Sequence, residues 1–182
     1  MVFIDGENLV FRYQTMSKKG RIPKPGVIHI EDVLVWTYGV YTPGDYDILR
    51  ANYYTYAIGD DERIADINMK LKQLAFLTSF VTTLPRTLTP IVFRKPKQSA
   101  KAKGVDIQLT VDVLSHVHRD NLDAIFLLTG DGDYAPLIEE VLRCGKQVYI
   151  GAFSDGLNPK LVTLADEFYS LDNIFFENQP NT

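Results

Sequence analysis

Four carboxylates stand where apolar runs stop or a new element opens: Asp5 after Met1-Val2-Phe3-Ile4, Asp131 and Asp133 after Ala124 to Thr129, and Asp106 in Lys103-Gly104-Val105-Asp106. Like charges resist being gathered. Two unpaired carboxylates about 4 Å apart repel by roughly 1 kcal/mol in water and about 4 kcal/mol at an effective dielectric near 20. If the chain brings these acids to one place, the chemistry that explains them is a divalent cation or phosphate chemistry.

The elements that must position them follow from the same runs. Val2 to Asp5 and Ala124 to Thr129 are short apolar stretches bounded by Gly and Asp, as expected of strands covered on both faces. In open parallel sheets the ligand lies outside the carboxyl ends of the strands, where Asp5 and the Asp131/Asp133 pair would fall. Further along, the patterns predict a helix or turn opening at Asn8 and a helix over 28–41. A Tyr- and Thr-rich strand is expected over 48–58, then a helix capped by Asp60 and running to about Phe80. A strand over 90–94, a helix over 105–118, a helix over 134–144 with Gly145 as its C′ residue, and a strand over 147–150 come next. A short helix over 158–167 and an edge strand over 168–176 close the pattern. Strands alternating with helices at this spacing imply an α/β, three-layer Rossmann-like fold with a mainly parallel central sheet. One domain over 1–176 with a tail over 177–182 is expected.

With 182 residues, 46% hydrophobic and 23% charged, the chain can bury one sizeable core. Only four residues precede Asp5 and none is basic, which fits neither a signal peptide nor a membrane span, so a soluble, cytoplasmic protein is expected. The single cysteine, Cys144, rules out an internal disulfide and a cysteine cluster for zinc, and reads as a small buried residue. A net charge of −4 argues against coating nucleic acid through overall charge. The distribution is more telling. Arg94, Lys95, Lys97, Lys101 and Lys103 form one acid-free basic stretch, and Lys18, Lys19, Arg21 and Lys24 another. Each is either a solvated loop or a sequence-independent contact to a phosphate backbone.

Phe3-Ile4-Asp5-Gly6-Glu7-Asn8-Leu9, Lys103-Gly104-Val105-Asp106-Ile107-Gln108-Leu109 and Thr129-Gly130-Asp131-Gly132-Asp133-Tyr134-Ala135-Pro136-Leu137-Ile138 resemble, in order, the signature stretches of the NYN domain family within the PIN-like nuclease superfamily. The resemblance implies a Rossmann-like parallel sheet, aspartates holding Mg²⁺ or Mn²⁺, and hydrolysis of RNA phosphodiesters. On it, Asp5, Asp106, Asp131 and Asp133 would bind the metal and Asn8 would orient a water or phosphate. Independently of the resemblance, the charge distribution makes Arg94, Lys95, Lys97, Lys101 and Lys103 the residues that would hold the RNA backbone.

The residues themselves agree while being less particular. Mg²⁺ uses one or two carboxylates and keeps several waters, so Asp5 and Asp131 suffice for a first site, and Asp106 and Asp133 either complete it or hold a second ion. No His, Ser or Cys nucleophile is required. Other readings compete at each position. Asp5 could terminate a strand in a turn, Asn8 could cap a helix, Asp106 could serve a helix dipole, and Thr129 could bond either a phosphate or a neighbouring carboxylate. Glu7 is expected to point away and be exposed. Asp112 lies about 240° around the helix from Asp106 and is left out of the metal set. His29, His116 and His118 read as structural or surface residues. Tyr53, Tyr54 and Tyr56 read as packing residues, with Tyr56 the best placed of them to stack a base.

An EF-hand is excluded because Ala135 and Pro136 occupy positions that need a ligand and a Gly, and no Walker-type loop is present. A phosphatase using Asp5 covalently would want an Asp where Glu7 stands. The competing class is a catalytically silent NYN-type module that binds RNA, a nucleotide or a protein partner. Assembly into a homo-oligomer is left open.

Overall fold

The computed structural model describes residues 1–40, 48–76, 86–95 and 104–178. Its elements are β1 (Val2–Asp5), α1 (Gly6–Lys18), β2 (Ile28–Ile30), β3 (Leu34–Trp36), β4 (Ala51–Ala57), α2 (Asp61–Gln73), β5 (Ala75–Phe76) and β6 (Arg86–Arg94). They continue as α3 (Val105–His118), β7 (Ala124–Leu128), a 3-10 turn (Gly132–Tyr134), α4 (Ala135–Arg143), β8 (Gln147–Ala152), α5 (Pro159–Leu164), β9 (Glu167–Ser170) and α6 (Asp172–Phe175).

The strands form a seven-stranded sheet in the order β5-β6-β4-β1-β7-β8-β9. Every pairing is parallel except that of β5 with β6. β1 is central and buried along its whole length. Alternation of side chains across it sends Val2 and Ile4 into one core, shared with α1 and α2, and Phe3 into the other, shared with α3, α4 and α5. This is the three-layer α/β, PIN-like architecture expected, with helices on both faces.

Several elements differ from expectation. The stretch over 28–41 is not a helix in its described part. It is an antiparallel hairpin of β2 and β3, with Asp32 in the left-handed region at φ 57. Its apolar positions fit a helical period, but the hairpin is held from outside. The Tyr53 hydroxyl donates to the Val35 carbonyl at 3.3 Å and accepts from the Val35 N–H at 3.1 Å, and the Thr55 hydroxyl donates to the Val33 carbonyl at 2.6 Å. The Trp36 indole N–H donates to the Ala75 carbonyl at 3.0 Å and its ring is fully buried. Helix α2 stops at Gln73 rather than near Phe80, because Leu74 turns extended to lead into β5. Strand β6 is longer than 90–94, with Pro90 in the stretch that β5 does not pair, where a missing N–H is tolerated. The helix expected over 158–167 ends at Leu164, and the segment over 168–176 divides between β9 and α6.

Other local signals held. Asp60 caps α2 by accepting from the Arg63 N–H at 3.0 Å, and Gly145 has φ 74 just past α4.

Candidate functional site

The turn from β1 into α1 places Asp5. Its Oδ1 accepts from the Asn8 N–H at 3.0 Å, so Asp5, not Asn8, is the helix N-cap. No spacer separates strand from helix, and Gly6 makes this possible: a Cβ there would lie 2.3 Å from Tyr53 Cε1 and 2.6 Å from the Tyr54 carbonyl oxygen. The turn after β7 meets it from the neighbouring strand. The Thr129 hydroxyl donates to Asp5 Oδ2 at 2.9 Å and accepts from the Asp131 N–H at 3.2 Å, and the Gly130 N–H donates to Asn8 Oδ1 at 3.0 Å. The Thr129 hydroxyl thus bonds a neighbouring carboxylate, and the residue is fully buried.

Asp131 caps the 3-10 turn by accepting from the Asp133 N–H at 3.0 Å, and the Tyr134 hydroxyl donates to Asp106 Oδ1 at 3.2 Å. Asp5 is thus aimed through both oxygens and Asp106 and Asp131 through one each, as outer partners aim the ligands of metal sites. Asp5, Asp106 and Asp131, from β1, α3 and the turn after β7, line one open groove of about 400 Å³ together with Glu7 and Asn8. Asp133 is exposed and does not line it. It borders an adjoining apolar groove of about 220 Å³ with Ile107, Val111 and Tyr134, which Asp106 and Asp131 also reach.

The electrostatics follow from burial and crowding. Asp5 is 2% exposed. Its carboxyl is pushed up to about 7, chiefly by burial and further by Asp106 and Glu7, against the downward pull of the Asn8 N–H and the Thr129 hydroxyl. Glu7 is half-buried rather than exposed, and its carboxyl is raised by burial and then by Asp106. The helix begins at Gly6, so strand alternation no longer governs Glu7; an Asp cap three residues before Asn8 is the signal that would have found it. Tyr134 is raised by burial and then by Asp5 and Asp106, which keeps its phenol protonated and donating. None of the described residues lining the groove is Lys, Arg or His.

The basic residues divide. Lys95 holds its ammonium 4.2 Å from the centroid of Tyr56, a groove residue, and acts on Glu7. Arg94 pairs with Asp61. Lys97, Lys101 and Lys103 lie outside the described residues. In the other basic run, Lys19 pairs with Asp155, Arg21 lies 3.6 Å from Asp172, and Lys24 donates to the Asn173 carbonyl, so these cations tie α1 and the segment after it to later parts of the chain. Tyr53 and Tyr54 are buried, Tyr54 donating to Asp112 at 2.8 Å, so Asp112 is engaged away from the acidic groove.

Sequence reasoning also passed over a second group. The ligand atoms of His118, Glu140 and Cys144 lie within 4.8 Å of one another, brought together by the ends of α3 and α4. His118 stands twelve positions after Asp106 on α3, about 18 Å along the axis, so this group is separate from the groove. No helix among the described residues is long and apolar enough to cross a membrane.

The family model of the NYN domain matches residues 1–172. A stretch of 72 residues is 33% identical to the uncharacterized protein MJ0482 of Methanocaldococcus jannaschii, covering 40% of this chain and 29% of that protein. The chain therefore matches less than a third of that relative's length. Among solved structures it is similar to VPA0982, a protein of unknown function from Vibrio parahaemolyticus, with a TM-score of 0.57 at 20% identity over 96% of this chain and 93% of that one. That likeness shows the fold.

Proposed function

The chain belongs to the NYN domain family of the PIN-like nuclease superfamily, and from that premise we propose that it is a divalent-metal-dependent ribonuclease. One observation carries the reading: carboxylates from β1, α3 and the turn after β7 line one groove that no described cationic side chain lines. The donors fit a hard cation, being oxygens already aimed by Asn8, Thr129, Tyr134 and the Asp133 N–H. The raised carboxyl of Asp5 is the complementary sign, because crowded, buried negative charge lacks compensation until a cation arrives.

Asp5, Asp106 and Asp131 would hold Mg²⁺ or Mn²⁺, with Asp133 at the margin. Bound there, the ion supplies Lewis-acid polarisation of a phosphodiester and an acidified water at neutral pH. The chain's own residues orient and exclude. Asn8 fixes the turn that carries Asp131, Thr129 holds Asp5, and Tyr134 holds Asp106. Glu7 is near enough to Asp5 to raise its carboxyl, and it would take or return a proton at the groove wall. Lys95, with Lys97, Lys101 and Lys103, would meet the RNA backbone.

The test is cleavage of unstructured and folded RNA with Mg²⁺ or Mn²⁺, comparing wild type with Asp131→Asn. Metal-dependent cleavage lost by at least about a hundredfold in the variant supports the reading. Absence of cleavage by wild type on every substrate would favour a regulatory binding module.

A further inference from the structure

We infer that one base of a strand bound in the groove stacks on the ring of Phe11. The inference rests on the nuclease reading of this groove and names a base-binding residue for it.

Phe11 is 58% exposed and lines the groove that Asp5, Asp106 and Asp131 also line. It follows Glu7 by four positions and Asn8 by three, so these residues share the helix face turned to the acidic centre. The other large apolar residues of α1, namely Leu9, Val10, Tyr13 and Met16, are all buried in the core. Phe11 alone among them is not spent on packing. The Arg12 guanidinium lies 5.2 Å from its centroid, and that arginine is held in turn 3.6 Å from Asp155.

The charge around the ring selects what can sit on it. Glu7 and Asp32 line the same groove, so a phosphate placed against this wall would be repelled, whereas a flat, uncharged base would not. Tyr56 adds a second aromatic wall, but the Lys95 ammonium covers its ring at 4.2 Å. That arrangement suits a phosphate next to the stacked base, with the base itself on the more exposed ring of Phe11. Base–aromatic stacking is tolerant of sequence because every base has a π-face, and it needs bases that are free. A duplex keeps its bases stacked within the helix and could offer the groove only its backbone.

The test measures binding by fluorescence anisotropy in an Asp131→Asn background with Mn²⁺, which prevents cleavage. The probes are an unstructured RNA of about twelve nucleotides, a blunt duplex of the same length, and a strand of the same charge made wholly of abasic units. Phe11→Ala should weaken single-strand binding by about five- to a hundredfold, Phe11→Trp should retain it, and neither should change binding of the duplex or the abasic strand. Thermal melting should be unchanged, since the ring is exposed. Equal single-strand affinity with and without the ring, an equal loss on duplex and abasic strands, or no single-strand binding in either protein would overturn the inference.

The parallel cleavage assay separates the two readings. Wild-type cleavage with an indifferent Phe11→Ala leaves the nuclease and removes the platform. A ring-dependent single-strand affinity without any cleavage leaves the platform and removes the nuclease.

Discussion

The Thr129 hydroxyl donates to Asp5 Oδ2 at 2.9 Å, joining residues 124 positions apart, both of them buried, at the ends of neighbouring strands β1 and β7. Asp5 Oδ1 is already occupied by the Asn8 N–H. The carboxylate that the proposed chemistry needs most is therefore fixed before any ligand binds.

Replacing Thr129 by Val keeps the shape and removes the donor, and it also strands the Asp131 N–H that the hydroxyl accepts. Leaving a buried polar group unsatisfied costs about 1–3 kcal/mol. Thr129→Val should lose stability in this range in urea unfolding, and its affinity for Mn²⁺ should fall because Asp5 is no longer held. A Thr129→Ser variant should recover most of both.

The raised carboxyl of Asp5 gives a pH signature with a definite sign. Its folded value of about 7 lies above the ordinary 3.8. The fold thus favours the protonated form. That contribution is fully present below about pH 4 and is lost as pH rises through about 7, at no more than about 1.4 kcal/mol per pH unit. Without divalent ions, wild type should lose stability relative to Asp5→Asn between pH 4 and 7, and the variant should be the more stable at pH 8. With Mn²⁺ the trend should reverse for wild type, since ion binding requires the ionised carboxylate. Melting curves of both proteins across this pH range, with and without Mn²⁺, would read it directly.

Gly6 leaves no room for a side chain. A Cβ would approach the Tyr54 carbonyl oxygen to 2.6 Å, and backbone of a central strand cannot yield as a side chain tip can. Overpacking of this kind costs about 1–3 kcal/mol. Gly6→Ala should show that loss in denaturant unfolding, and because it displaces the start of α1, cleavage should fall by more than the loss of folded protein accounts for.

Asn8 acts on the turn carrying Asp131 through the Gly130 N–H at 3.0 Å. Asn8→Ala should cost about 1–2 kcal/mol and lower kcat for RNA cleavage. Asn8→Asp keeps an acceptor at the same place and should keep the turn's protection from hydrogen exchange, which the Ala variant should lose.

Much of the arrangement is legible in the sequence because it is local. Asp5, Asp106 and Asp131 each stand where a strand ends or a helix begins, and parallel sheets present those ends on one side. The misreadings are tertiary. Val33, Leu34, Val35 and Trp36 form a β-strand and its approach only because Tyr53 and Thr55 supply hydrogen bonds from β4, and their period alone fits a helix equally well. Glu7 would face away only if the strand ran on past Asp5; α1 starts at Gly6 and turns it toward the groove. Likewise Lys19, Arg21 and Lys24 cannot be told from solvated or phosphate-binding cations until Asp155, Asp172 and the Asn173 carbonyl come beside them.

Asp5, Asp106 and Asp131 are proposed to share one divalent cation. The most direct measurement is anomalous scattering from a crystal of the protein grown with Mn²⁺. A peak is expected in the groove with Asp5 and Asp131 oxygens at about 2.1–2.2 Å and Asp106 bound directly or through a water. A groove without manganese, or a peak found instead between His118, Glu140 and Cys144, would contradict it.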